Sequence, residues 1–219
     1  MKAYPRIPIQ ATEALAKMAA KATPREGAYL ADMVEHYLRE FRRAGPEGGP
    51  LDVAYTVHGL VDEAMERLAA TDPNAPRVVC SKGCSACCHL RVTIDKTEAA
   101  LLVAWLREEG VEIDRARLER QAGQSLAQWS DLAHADRACV FLDDAGACRV
   151  YEHRPNACRK YLVIDDAALC DTQRHPGGRV GILASPEAEA ITTAAFISFE
   201  RGALADLVLD GLRATDEPA

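Results

Sequence analysis

All eight cysteines of this chain fall between Cys80 and Cys170, and the first four, Cys80, Cys84, Cys87 and Cys88, are spaced C-x3-C-x2-C-C. Short spacers let one loop offer several thiolates to an ion at about 2.3 Å without the entropy of closing a long loop. A disulfide framework is the competing use. The opening MKAYPRIPIQATEALAKMAA has Lys2 but no apolar stretch followed by a small-residue cleavage site. The sequence therefore predicts a cytoplasmic location, where thiols stay reduced and metal ligation is the favoured reading. Ordinary core cysteines would be scattered, and these are confined to one region.

The 219 residues suffice for one domain with an extension or for two small domains. A formal charge of −7 argues against a nucleic-acid partner, since phosphate binding wants a basic face. No apolar run approaches the roughly 18 residues needed to cross a bilayer, so no transmembrane segment is expected. Metal ions and an unidentified small molecule or protein remain as partners.

Helical periodicity dominates on both sides of the cysteines. Thr23 as N-cap and Pro24 at the first position open a helix through Arg43, with Tyr29, Leu30, Met33, Val34, Tyr37, Leu38 and Phe41 on one face. Gly45 and Pro46 end it. A second helix is predicted from Leu51 to Ala70, followed by the breaker TDPNAP. HLRVTI suggests a strand, Asp95 caps a helix from Lys96 to Glu109 closed by Gly110, and another helix is expected from Asp114 toward Ala133. CVFLDDAGACRVY reads as a hairpin that brings Cys139 and Cys148 together. Ser185, Pro186 and Glu189 start a C-terminal helix to about Phe199, reset near Gly202 and continuing to Leu212, with a frayed tail.

The adjacent pair Cys87 and Cys88 complicates ligation by a single ion. Neighbouring side chains point about 100° apart on a helix and to opposite faces on a strand. A polynuclear cluster, two neighbouring sites, or one non-ligand in the pair would each satisfy the spacing.

The segments CSKGCSACC and CVFLDDAGACRVYEHRPNACRKY resemble the YkgJ-like cysteine-cluster family, also known as the CxxCxxCC or zinc- or iron-chelating domain family. Cys139, Gly146, Cys148, Tyr151, Glu152, Arg154, Pro155, Cys158, Arg159 and Tyr161 match its second block, with Cys170 as the trailing cysteine. The first spacer here has three residues where the family's name has two. The resemblance covers roughly residues 80–170. It implies a metal-ligand set of Cys80, Cys84, Cys87, Cys88, Cys139, Cys148, Cys158 and Cys170. The family also carries the label of Fe–S oxidoreductase, but the resemblance implies chelation more firmly than any reaction. Cys80, Cys84 and Cys87 also share the C-x3-C-x2-C spacing of radical enzymes that use S-adenosylmethionine, yet the repeated strand–helix units of their barrel are missing here.

A thiolate-rich centre is anionic and should draw cations and N–H donors. Between Arg137 and Lys160 five basic residues face three acidic ones, and Arg154 and Arg159 are the candidates to support the bound cofactor. The bland use of Arg154 is an ion pair with Glu152 or a helix cap. His89 and His153 could add imidazole ligands, but eight thiols already suffice for two tetrahedral sites or a cluster plus zinc. His175 reads as a loop residue, His36, His58 and His134 as packing or solvent residues, and Tyr151 and Tyr161 as core. No catalytic residue can be assigned, because no nucleophile triad, phosphate-cradling glycine loop or paired carboxylate motif is visible.

These readings combine into a mainly α protein with a small irregular α+β cysteine-rich metal-binding core and a short hairpin. The expected organisation is a helical extension over residues 1–75, a cysteine-cluster domain with a helical insert over 76–180, and a C-terminal helix over 181–219. Two function classes follow. One is an iron–sulfur or iron-dependent oxidoreductase-type protein of unknown substrate. The other is a zinc-stabilised, non-catalytic interaction module.

Overall fold

Thr23 begins a helix because its hydroxyl and the Glu26 carboxylate bond reciprocally to each other's backbone N–H, satisfying two donors of the first turn. In the computed structural model, which describes residues 11–44 and 48–216, this helix is α2 (Pro24–Ala44). It is preceded by α1 (Glu13–Lys21) and followed by α3 (Pro50–Thr71). The predicted stop at Gly45 and Pro46 lies outside the described residues, as do the first ten residues of the chain. Helix α1 was not foreseen, although Thr12 followed by Glu13 is an N-terminus signal. Thr12 Oγ accepts from Leu15 N and donates to the buried Glu189 at 2.6 Å.

Strand β1 (Thr93–Asp95) leads into α4 (Lys96–Glu108) through the expected Asp95 cap, which accepts from Thr97 N and Glu98 N. The helix expected from Asp114 to Ala133 is instead broken. Its pieces are α5 (Arg115–Gln121), α6 (Leu126–Asp131) and the single turn α7 (His134–Arg137). Gly123 sits at φ 73°, and Ser125 opens α6 with its own capping box to Gln128, so the backbone restarts rather than continuing. The buried Gln121 then donates to the carbonyls of Asp136 and Ala138, tying α5 to the chain just ahead of Cys139.

The expected hairpin is a tight turn with one bridging pair, Leu142 and Cys148, rather than two strands. Asp143 organises it by accepting from Ala145 N and Ala147 N, and Gly146 takes the left-handed conformation at φ 77°. Beyond it come α8 (Asn156–Arg159), β2 (Leu162–Val163), β3 (Ile182–Leu183) and α9 (Pro186–Ser198). The reset near Gly202 is a strand, β4 (Arg201–Ala203), before α10 (Leu204–Asp216). Strand β4 pairs antiparallel with β1, Ile94 opposite Gly202, and β2 pairs antiparallel with β3. None of β2, β3 or β4 is long enough to show a sequence period.

Two apolar clusters make the core. One joins α1, α2 and α3 to α9, through residues such as Leu15, Val34, Phe41, Val57, Val61 and Ile191. Helix α9 is buried on nearly every side, which explains its run of small residues Ala188, Ala190, Ala194 and Ala195. The other joins α4, α5 and α10 to Val140, Phe141 and Val150 of the cysteine turn. Helix α4 packs against both α3 and α10 and so links the clusters. Among the described residues no helix is long and apolar enough to cross a membrane.

Candidate metal centre

The first cysteine motif has no regular backbone to fix its side chains. Gly83 at φ 94° turns the chain between Cys80 and Cys84, and residues Ala86–His89 form one 3-10 turn carrying Cys87 and Cys88. This turn puts both adjacent cysteines on the wall of one cavity. The two cysteine halves meet directly. Cys139 N donates to Cys88 O at 2.9 Å, and Gly146 places its turn against Ser85. From the other side, Val79 N donates to Val163 O at 2.9 Å. Cys158 is carried by the single turn α8, whose first residue, Asn156, is fully buried.

Six cysteines from both halves, Cys84, Cys87, Cys88, Cys139, Cys148 and Cys158, line one cavity of about 100 Å³. Cys84 is exposed and stands at its solvent side. Cys80 and Cys170 lie off this cavity. The Cys80 thiol donates to Tyr161 O at 3.8 Å and accepts from Val163 N at 3.2 Å. Cys170 ends the 3-10 turn Ala167–Cys170, which packs on the turn bearing Cys87.

The charges of these thiols are coupled, and Cys87 is the common member. Burial pushes Cys139 up to about 11, with Cys148 and Cys87 adding to it. Burial also raises Cys158 well above the ordinary thiol value, helped by Cys139, Cys87 and Cys148. Burial raises Cys170 to about 11, with Cys87, Cys80 and Cys84 contributing. Cys87 itself is drawn down to about 7, because the Cys88 thiol donates to it. Cys88 is raised by the same bond and by burial.

Arg154 is the cation nearest the middle of this arrangement. It lines the cavity and stacks over the Tyr151 ring at 4.1 Å; burial raises the Cys80 and Cys148 thiols, and the Arg154 charge opposes that rise. Arg159 lies off the cavity. Its guanidinium donates to Asp62 at 2.6 Å and to the carbonyls of Arg154 and Glu152, clamping the loop ahead of α8 onto α3. Arg137, one of the five basic residues counted in the sequence, also lines the cavity, as do two residues that gave no local signal, Gln121 and Trp129, whose Nε1 donates to His89 O at 3.1 Å. His89 stacks on His134 at 4.0 Å, and His153 meets the Tyr55 ring edge-on; neither lines the cavity.

The donor set fits a thiolate-bound metal. Soft sulfur donors crowd one small space, and two arginines, Arg137 and Arg154, line it with them. Among the described residues no three Cys, His, Asp or Glu side chains are arranged so that they could hold a metal ion. Residues 79–175 match the family model CxxCxxCC, described as a "putative zinc- or iron-chelating domain". The segment is similar to that domain family. No curated protein and no solved structure matches the chain. The description of the CxxCxxCC domain supports metal binding, of zinc or of iron, by the segment that carries all eight cysteines.

A second, larger pocket of about 610 Å³ adjoins the CxxCxxCC thiols. The two spaces share a wall made by Cys87, Leu90, Arg91, Val92, Cys158 and Ala203. Lys160 borders the larger pocket and is bonded to the buried Glu189 of α9, which also accepts from Thr12.

Proposed function

We propose that the CxxCxxCC segment holds a polynuclear thiolate-ligated centre, an iron–sulfur cluster in preference to a pair of zinc ions, and that the protein is an iron–sulfur or iron-dependent oxidoreductase-type protein. The observation that carries this reading is the number of thiols around one space. Six cysteines line a cavity of about 100 Å³, and a tetrahedral ion uses only four. Two or more metal atoms sharing sulfurs would use all six. Cys84, Cys87, Cys88, Cys139, Cys148 and Cys158 would hold the centre, with Cys80 and Cys170 beside it. Arg154 would offset the negative charge. When bound, such a centre supplies electron transfer or Lewis acidity. A structural zinc site is closed by its four ligands, whereas Cys87 and Cys158 stand on the wall of a pocket large enough for a metabolite.

A second reading, the zinc-stabilised interaction module, is favoured by one observation. No residue from Thr71 to Thr93 is buried, so this stretch has no core of its own and metal would supply its order. Anaerobic purification followed by metal and acid-labile sulfide analysis and an absorption spectrum separates the two. Iron with sulfide, at two or more metal atoms per chain, is expected. One zinc with neither iron nor sulfide would overturn the proposal and leave the module.

A further inference from the structure

We infer that helix α3, which lies outside the segment matched by the family model, is a positioning element of the metal centre, and that Asp62 is the positioning residue that holds the Cys158 turn through Arg159. The inference rests on the reading of Cys158 as a metal ligand. Tyr55, His58 and Asp62 are spaced i, i+3 and i+7, which puts them on one face of α3. Each engages the short block from Glu152 to Arg159, directly or through Glu98. The Tyr55 ring meets the His153 ring edge-on at 5.9 Å. His58 Nε2 lies 3.3 Å from Glu98 Oε1, the same atom that accepts from Asn156 N at 2.6 Å. Asp62 Oδ2 accepts from Arg159 Nη1 at 2.6 Å.

The block needs that support. Helix α8 is one turn of four residues, too short to hold its own backbone in place. It carries Cys158, and Arg154 stands just ahead of it; both line the thiol cavity. Arg159 ties this stretch to α3, because its Nε donates to Arg154 O at 2.8 Å, its Nη2 donates to Glu152 O, and its Nη1 donates to Asp62. A planar guanidinium donates in fixed directions, so one acid on α3 sets where both carbonyls sit, and with them the Cys158 turn. A thiolate ligand must stay within a few tenths of an ångström of about 2.3 Å from its metal, so a turn free to shift would hold metal less firmly. The Asp62 side chain is 45% exposed and that of Arg159 9%. Removing the acid therefore disturbs the turn while leaving the core packed.

The test uses the full chain, purified anaerobically with its metal, and follows transfer of that metal to excess 4-(2-pyridylazo)resorcinol by absorbance. Asp62→Ala keeps a good helix former in α3 and is expected to release metal about five-fold or more faster than wild type, the effect of losing one charge-assisted hydrogen bond. Asp62→Glu keeps the acid and should restore slow release. Glu63→Ala removes the next acid along the same helix, one paired with Arg67, and should leave release unchanged. On the chain reconstituted with cobalt(II), the sulfur-to-cobalt absorption band should shift in Asp62→Ala and return in Asp62→Glu, which a general loss of stability does not produce. Wild-type release and band in Asp62→Ala, or equal acceleration in Glu63→Ala, would overturn the inference. Metal counted in Cys158→Ser separates it from the reading beneath it. Metal lost there, with wild-type release in Asp62→Ala, overturns the positioning role alone. Metal unchanged there removes Cys158 as a ligand and overturns both. One zinc per wild-type chain, with fast release in Asp62→Ala, overturns the polynuclear centre alone.

Discussion

Replacing Glu98 with Ala should destabilise the protein more than any exposed substitution, because this carboxylate is 1% exposed and serves three elements at once. Its Oε1 accepts from Asn156 N at 2.6 Å, at the start of the turn that carries Cys158, and from His58 Nε2 of α3 at 3.3 Å. Its Oε2 accepts from Asp95 N at 3.2 Å, closing the cap of α4. Removal orphans two buried backbone N–H groups and one imidazole. At about 1–3 kcal/mol for each unsatisfied buried group, and allowing water to recover some of it, the loss should be about 3–6 kcal/mol. Glu98→Gln preserves the shape but offers one oxygen instead of two and sets an amide N–H against a donor, so about 1–3 kcal/mol is expected. Urea unfolding at pH 7, with the metal content matched, measures both. A double-mutant cycle with His58→Phe should show coupling beyond about 0.5 kcal/mol, since the pair shares a bond. Because Asn156 N sits two residues before Cys158, metal retention against a chelator should also fall in Glu98→Ala. A loss below about 1 kcal/mol, or additivity with His58→Phe, would refute the network as a stabilising hub.

Two other outcomes follow from the site. Cys158→Ser and Cys84→Ser should each lower the metal content measured after purification, and Cys158→Ser should cost about 3 kcal/mol or more through loss of structural metal, with exposed Cys84 costing less; unchanged metal in both variants would count against ligation. Asp95 is held at about 6, above its ordinary 3.8, by burial and by the Glu98 charge; the folded state then binds more protons than the unfolded state between pH 4 and 6, so this residue's stabilising contribution is full below pH 4 and is lost as pH rises through 6. Asp95→Asn should flatten that decline relative to wild type in unfolding curves taken at pH 4.5, 5.5 and 6.5, while an unaltered slope would show that Asp95 is not its source.

Local signals in the sequence were enough to place α2 and α4, because each begins with a side chain that satisfies its own first-turn donors, Thr23 with Glu26 and Asp95 with Glu98, while α3 was placed by the spacing of its apolar residues. The turn around Asp143 and Gly146 was legible for the same reason, being a short-range hydrogen-bond pattern. Clustering alone identified the cysteine segment, and the RPNACRKY block carried its family resemblance. The backbone bond of Cys139 to Cys88 is a tertiary fact.

Tertiary structure decided what no local window contains. Strand β4 forms because Arg201–Ala203 finds an edge at β1, a partner more than a hundred positions away. The continuous helix expected from Asp114 was broken by Gly123 and Ser125 together with the long-range hold of Gln121 on the chain before Cys139. The 3-10 turn at Ala86–His89 puts the adjacent Cys87 and Cys88 on one cavity. Arg154 and Arg159 look alike in sequence, yet one lies over Tyr151 at the thiols and the other is spent on Asp62. Glu98 shows the division most plainly. As the third residue of a capping box it was readable from four residues of sequence, but its bonds to His58 and Asn156 exist only because α3, α4 and α8 converge on one dry point, where a carboxylate must find every partner it can.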